Sequence, residues 1–481
     1  MKPHLPAILA LGILLAGCAV GPDYKRPAAL KSQPLPKVFA GDWKDAQPAA
    51  HLPRGAWWEV FRDAELNRME RAATADNESL AAAVARFNQA RASVDIARSD
   101  FLPQLTLAGS ATRQRTSRNA PQSGHAAGQG YNYSTFTVPL EMGWEPDLWG
   151  RIRRQTEAAG ARLDASADDV EAVKLAIQSA VAADYFALRT LDAELALIAD
   201  TVETYRRSLE LTRNRRKGGI ASDLDVSEAE TQLRSAESQL PALQLHRAKL
   251  AHALATLCGQ PATTFATPTN PAQLPPPPAV PPTMPSELLE RRPDIAAAER
   301  QMAAANADIG VAKSAFFPRL IFNGLAGFQS INAGTVFNWP SRVWAVGPTL
   351  ELPIFTGGRN TAQLAAARAA YDETVARYRQ TALTAFQEIE DQLAAQRLLA
   401  KQLDAETAAL TSARRTQEIA NNRYRAGLVT YLEVAAAQSI ALDRNRTVVR
   451  LQGERCLATV GLIKALGGGW QANAEAAATQ R

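Results

Sequence analysis

KGGIASDLDV, residues 217–226, recurs as RAGLVTYLEV at 425–434, 208 residues further along the chain. The same offset carries Gly150-Arg151 onto Gly358-Arg359 and the stretch from Leu254 to Gly259 onto that from Leu462 to Gly467. IARSDFLPQL (96–105) returns as VAKSAFFPRL (311–320) at an offset of 215, so the copies differ in length only between Pro103 and Gly150. Two Ala-rich helices that resemble each other by chance would not hold one register for so long, and the chain reads as one unit written twice. PAQLPPPPAVPP (271–282) joins the copies and suits extended polyproline II. The implied division is a leader at 1–17, an extended segment at 18–62, a first repeat at 63–260, a linker at 261–286, a second repeat at 287–467 and a tail at 468–481.

Each copy predicts the same succession. An opening helix runs from Asp63 to Phe101 or from Glu287 to Phe317, and poor helix formers follow at 103–149 and 318–357. A long helix then runs from Arg151 to about Arg216 or from Asn360 to about Tyr424. Gly218-Gly219 or Gly427 turns the chain, and a return helix ends near Cys258 or Leu466. In the first long helix Ile177, Val181, Tyr185, Leu188, Leu191, Leu195, Ile198, Val202, Tyr205 and Leu209 advance by threes and fours, a coiled-coil seam. A soluble helical bundle carries such a stripe too. Sixty-odd residues at about 1.5 Å each make a rod of roughly 100 Å, which favours something taller than an ordinary bundle.

The segments between the helices predict strands at 103–114, 131–145, 318–331 and 341–353, two pairs. TSRNAPQSGHAAGQG lies between the members of the first pair and has no hydrophobic pattern. Thirteen of the 31 aromatic residues fall in 131–149 and 316–355, among them Tyr131, Tyr133, Trp144, Trp149, Phe328, Trp339 and Trp344. That concentration fits the interfacial girdles of an outer-membrane barrel, although small hairpins capping a soluble bundle are the plainer alternative. Four strands cannot close a barrel and lipid tolerates no open edge, so a barrel built from them is shared among several copies.

The chain opens MKPHLPAILALGILLAGC, with Lys2 ahead of an apolar run from Leu5 to Leu15 that is too short to span a bilayer. Leu15-Ala16-Gly17-Cys18 matches the bacterial lipobox, which makes Cys18 the lipidated first residue of the mature chain; an ordinary signal peptide with an incidental cysteine is the alternative. Ala19 after the cysteine favours the outer membrane. Several acyl chains there would anchor stably where one alone would not. Cys258 and Cys456 are no disulfide framework, and their repeat positions separate them by about 15 Å of helix, so unbridged thiols are expected. A net charge of +5 without a basic block excludes a nucleic-acid protein. His4, His51, His125, His246 and His252 make no metal-spaced cluster, and no hydrolase or nucleotide-binding motif is present, so neither enzyme nor cofactor chemistry is expected beyond the lipid on Cys18.

The lipobox followed by GPDYKRP (21–27), WWEVFRDAELNRMERAA (57–73), the paired FLPQL and FFPRL, and the DLWGR and FTGGR turns together resemble the TolC-like outer-membrane factor family, in its lipoprotein branch typified by OprM and NodT. The likeness covers essentially the whole mature chain. It implies an α+β membrane protein: a homotrimer with four strands per chain in one barrel, over a long α-helical periplasmic barrel. It implies passive export of small molecules, with a periplasmic adaptor protein and an inner-membrane pump, commonly of the resistance–nodulation–division type, as partners. The tips at 216–226 and 424–434 would form the periplasmic gate, with Tyr424, Arg425 and Glu433 on one tip and Asp223 and Asp225 on the other matching the family's latch. A solvated turn without a latch, or apolar contacts around Leu428 and Leu432, are the alternatives. The chain departs from the family at Ala436, where an acidic residue is usual, so selectivity resting on that carboxylate is in doubt. A type I protein secretion duct shares the fold, and a structural periplasm-spanning lipoprotein without a pore shares the pattern.

Overall fold

The computed structural model describes residues 19–28, 55–118, 130–270, 274, 276–278 and 291–468. Cys18, the leader, most of the Pro-rich linker, the tail, and His4, His51 and His125 lie outside the described residues.

A 3-10 turn at Trp57–Phe61 precedes α1 (Ala64–Asp76) and α2 (Glu78–Ser99). Then come β1 (Gln104–Leu107), β2 (Ser110–Arg115) and β3 (Asn132–Trp144), followed by α3 (Arg151–Lys217) and α4 (Asp223–Leu257). The second copy supplies α5 (Pro293–Ser314), β4 (Arg319–Ser330), β5 (Arg342–Glu351), α6 (Arg359–Arg425) and α7 (Tyr431–Ala465). Equivalent helices have equal lengths: 67 residues for α3 and α6, 35 for α4 and α7, 22 for α2 and α5.

The single opening helix expected from Asp63 is instead two. Asn77 interrupts it: its Oδ1 accepts from the N–H groups of Ser79 and Leu80 at 2.9 and 3.1 Å, and its Nδ2 donates to the Leu257 carbonyl at 2.8 Å. One side chain thus starts α2 and ties it to the end of α4. In the second copy the break has another cause. Pro293 opens α5 and disfavours the helical region for Arg292. The Arg292 guanidinium is buried and bonds Asp294, Glu388 and the Ala465 carbonyl, holding α5 against α6 and α7.

The chain divides into two compact units. One holds Phe87–Ser166, Ala298–Tyr378 and the described part of Met1–Ala28, and contains the sheet. In it residues 19–28 lie along α3 and α5. Val20 N–H donates to the Trp149 carbonyl at 2.9 Å, Asn306 Nδ2 to the Pro22 carbonyl at 2.9 Å, Arg154 pairs with Asp23 and Arg26 with Glu299.

The other unit holds, among the described residues, two large cores and a small one of Ile389, Leu462 and Ala465. Trp57, Phe61, Leu66 and Met69 pack on Val181, Tyr185, Phe186 and Leu188 of α3 and on Leu254 and Cys258. Ile198, Val202, Tyr205 and Leu209 pack on Leu233, Tyr424, Tyr431 and Val434. Most of the seam is therefore buried, but Leu191 and Leu195 are only half-buried. Between the two large cores Asp192 is buried instead, pairing with Arg247 at 2.6 Å and accepting from the Asn270 N–H. Among the described residues no helix is long and apolar enough to cross a membrane.

Candidate functional site

All strands form one antiparallel sheet in the order β1-β3-β4-β5, with β2 also on β3. The strand expected at 103–114 is two because of Pro139. β1 and β2 share one register along β3, from Gln104 opposite Gly143 to Arg115 opposite Asn132, which sets Ala108 opposite Pro139. The Ala108 N–H still donates to the Pro139 carbonyl at 3.0 Å, but proline returns no N–H, and the ladder is interrupted there. On the other side of Pro139 stands Gly327, where a Cβ would lie 2.3 Å from the Val138 carbonyl oxygen. Only glycine lets β4 approach so closely.

The registers assign side chains to faces. One face carries Leu105, Leu107, Val138, Leu140, Met142, Trp144, Leu320, Phe322, Phe328, Trp344, Val346 and Leu350, with Arg113, Arg115, Asn132, Ser134 and Arg342 at and beyond its Phe328 end. The other carries Gln104, Thr106, Thr112, Gln114, Thr135, Thr137, Glu141, Asn323, Gln329 and Thr349, interspersed with Tyr133, Ile321, Leu325 and Val343. The apolar face is open: Leu107 is 71%, Trp344 73% and Val346 70% exposed. Aromatic clusters mark both ends of β4, with Trp144 on Phe322 at 5.8 Å and Phe328 on Phe337 at 5.9 Å. The six residue steps from Phe322 to Phe328 span about 20 Å of strand. Both outer edges, β1 with β2 and β5, are unpaired among the described residues.

The second candidate site is the pair of helical turns. Gly219 and Gly427 both have φ of 76°, the left-handed conformation that ends α3 and α6. Ser222 and Asp225 make a capping box at the start of α4. Thr430 and Glu433 have the same spacing, yet Thr430 makes no side-chain cap. Asp225 of the first turn does so instead, its Oδ1 accepting from the Tyr431 N–H at 3.0 Å. Burial opposes ionisation of Asp225, but bonds from Ser222 and Tyr431 and the Arg215 charge outweigh it and hold the carboxyl below its ordinary range.

Tyr424 is buried; its hydroxyl donates to Thr212 Oγ1 at 3.3 Å, and its ring meets Tyr431 edge-on at 5.5 Å. Arg215 lies over the Tyr424 ring at 4.8 Å and donates to the Arg425 carbonyl at 2.9 Å. Asp223 bonds Arg216 of its own turn through both oxygens, at 2.8 and 2.9 Å. Glu433 faces Arg423 at 3.7 Å, and the Arg425 guanidinium has no partner among the described residues. The structure thus brings Asp225 and Tyr424 into the contact between the turns and leaves Asp223 and Glu433 in exposed local pairs. Leu428 and Leu432 are 70% and 59% exposed and make no part of the apolar contact expected of them, which belongs to Tyr205, Leu209, Tyr424, Tyr431 and Val434. Sequence reasoning missed Arg215, Thr212 and Tyr431. Tyr431 was visible as a departure of the repeat, since Asp223 holds its place in the first copy.

Ala436 is exposed on α7, as are His246 and His252 on α4. Cys258 and Cys456 are buried thiols in no disulfide, and burial pushes each up to about 11.

The duplicated helical hairpins and the sheet with a predominantly apolar face fit an outer-membrane channel protein. The family model for the outer membrane efflux protein matches residues 71–260 and 284–468, and the chain belongs to that family. It is 35% identical to the outer membrane protein OprJ of Pseudomonas aeruginosa over 464 residues, 96% of this chain and 95% of that one. It is 34% identical to the solvent efflux pump outer membrane protein SrpC of Pseudomonas putida, over 95% of this chain and 97% of that one. The solved outer-membrane channel OprN superposes with a TM-score of 0.83 at 30% identity, covering 94% of this chain and all of that one. The chain is thus an outer-membrane efflux protein with the helix-and-sheet fold of TolC-like channels.

Proposed function

We propose that three copies of this chain form one passive export channel, a twelve-stranded barrel over a helical tunnel, lipid-anchored through Cys18. The observation that carries this reading is the open-edged sheet with one predominantly apolar and one predominantly polar face. In lipid an unpaired edge is prohibitively costly, so β5 of one copy pairs with β1 and β2 of the next. The strands already alternate in direction, and this pairing continues the alternation around a closed ring. The apolar face then meets lipid between its aromatic ends, and the polar face lines water. An inner-membrane pump and a periplasmic adaptor feed the channel with small molecules, and the helical turns gate it. The naming of the relatives as efflux proteins supports this reading.

Native mass spectrometry from detergent micelles tests the assembly. A three-copy mass carrying acyl groups on Cys18 is expected; a monomer in every detergent would exclude a shared barrel.

A further inference from the structure

Beside the contact between the turns lies a cavity of 240 Å³ whose lining includes Arg207 and Ser208 of α3, Asn421 and Arg425 of α6, and Gln438 of α7. Its charged lining is two arginines and no carboxylate. Neither guanidinium has a hydrogen-bond or ion-pair partner among the described residues, whereas their neighbours Arg206 and Arg423 are both paired. Gln438 is 2% exposed, and neither its amide oxygen nor its amide nitrogen has a partner. A bound oxyanion would accept a hydrogen bond from the amide nitrogen, and a water held beside it would donate to the amide oxygen.

We propose that this cavity binds a small oxyanion, a phosphate or a carboxylate. Guanidinium groups match the geometry of either group through paired N–H donors. The Gln438 amide nitrogen and the Ser208 hydroxyl add neutral donors. The volume admits one such ion with water and excludes a drug-sized molecule, whose pockets run to about 300–1,000 Å³. Bound there, the ion bridges α3 of one hairpin to α6 and α7 of the other and holds the turns together. This consequence rests on the reading of the turns as the gate; the binding does not.

Isothermal titration of the full-length protein in detergent, at constant ionic strength and with chloride as background, decides between occupants. Inorganic phosphate and succinate are the two probes. Saturable binding of either is expected, weakened about tenfold by Arg207→Gln or Arg425→Gln, each of which removes a charge-assisted contact. Gln438→Glu is expected to abolish it by setting a carboxylate against the ion. Far-ultraviolet circular dichroism checks that each variant is folded. No saturable binding of either probe, the result if water alone satisfies Gln438, overturns the proposal, as does binding unchanged in all three folded variants. The titration needs no pore, so its failure is distinct from failure of the channel reading.

Discussion

Asp225 closes the capping box of its own helix and also caps the helix of the neighbouring hairpin, so its removal costs both turns. Asp225→Ala is expected to cost about 1 kcal/mol per copy, the usual value of a lost cap, and to raise the channel's open probability in bilayer recordings. Its folded pKa is depressed, so the contact is complete above the ordinary carboxylate range and is lost as pH falls through the folded value. Acid is therefore expected to open the wild type and leave the alanine variant unchanged. Tyr424→Phe combined with Arg425→Ser removes the bond to Thr212 and one of the arginines in the neighbouring cavity. It is expected to raise conductance and sensitivity to large antibiotics; wild-type behaviour in both would move the latch elsewhere. Glu70 provides a separate test, of stability. It is fully buried on α1 with neither oxygen partnered, and burial pushes it up to about 9. The folded chain keeps that proton up to about pH 9 while the unfolded chain loses it near 4.5, so the folded state binds more protons and stability falls as pH rises across that window. Urea unfolding at pH 5 and pH 8 is expected to show that fall in the wild type and a flatter profile in Glu70→Gln. Equal slopes would mean that Glu70 has a partner in the assembly.

At the scale of elements, the sheet makes a two-sided prediction. Val346→Lys puts a charge on the apolar face near mid-strand and is expected to cost about 2–4 kcal/mol in lipid, with loss of membrane insertion. Thr349→Lys, on the polar face of the same strand, is expected to insert normally and to change ion selectivity. Similar effects on membrane-fraction yield would mean the faces are misassigned. The helices were legible because the repeat and the heptad spacing are long-range patterns that a single residue cannot erase. What was not legible came from single side chains with partners far away in sequence. Asn77 splits a helix by reaching Leu257, and Pro139 interrupts a strand through a missing N–H that faces Ala108. Asp192 sits where the heptad spacing implies only apolar burial, because Arg247 meets it there. Of the residues assigned to the proposed gate, the sequence could give a tip to each but not a partner: Asp225 caps Tyr431, and Glu433 faces Arg423 and not Arg425.

At the scale of the whole molecule, the proposed shared barrel would complete the open sheet edges of each copy, making assembly and membrane insertion one event. Cys18→Ser is expected to preserve the fold while impairing processing and localisation, with only partial loss of export if the proposed barrel inserts by itself. Mass spectrometry of the mature N-terminal peptide checks the acylation. The most direct test of the central claim is planar-bilayer recording of the purified protein. Discrete conductance steps are expected, raised by Asp225→Ala and altered in selectivity by Thr349→Lys. A protein that folds, enters the bilayer and passes no current would contradict it, and would leave a lipoprotein whose sheet serves only as an anchor.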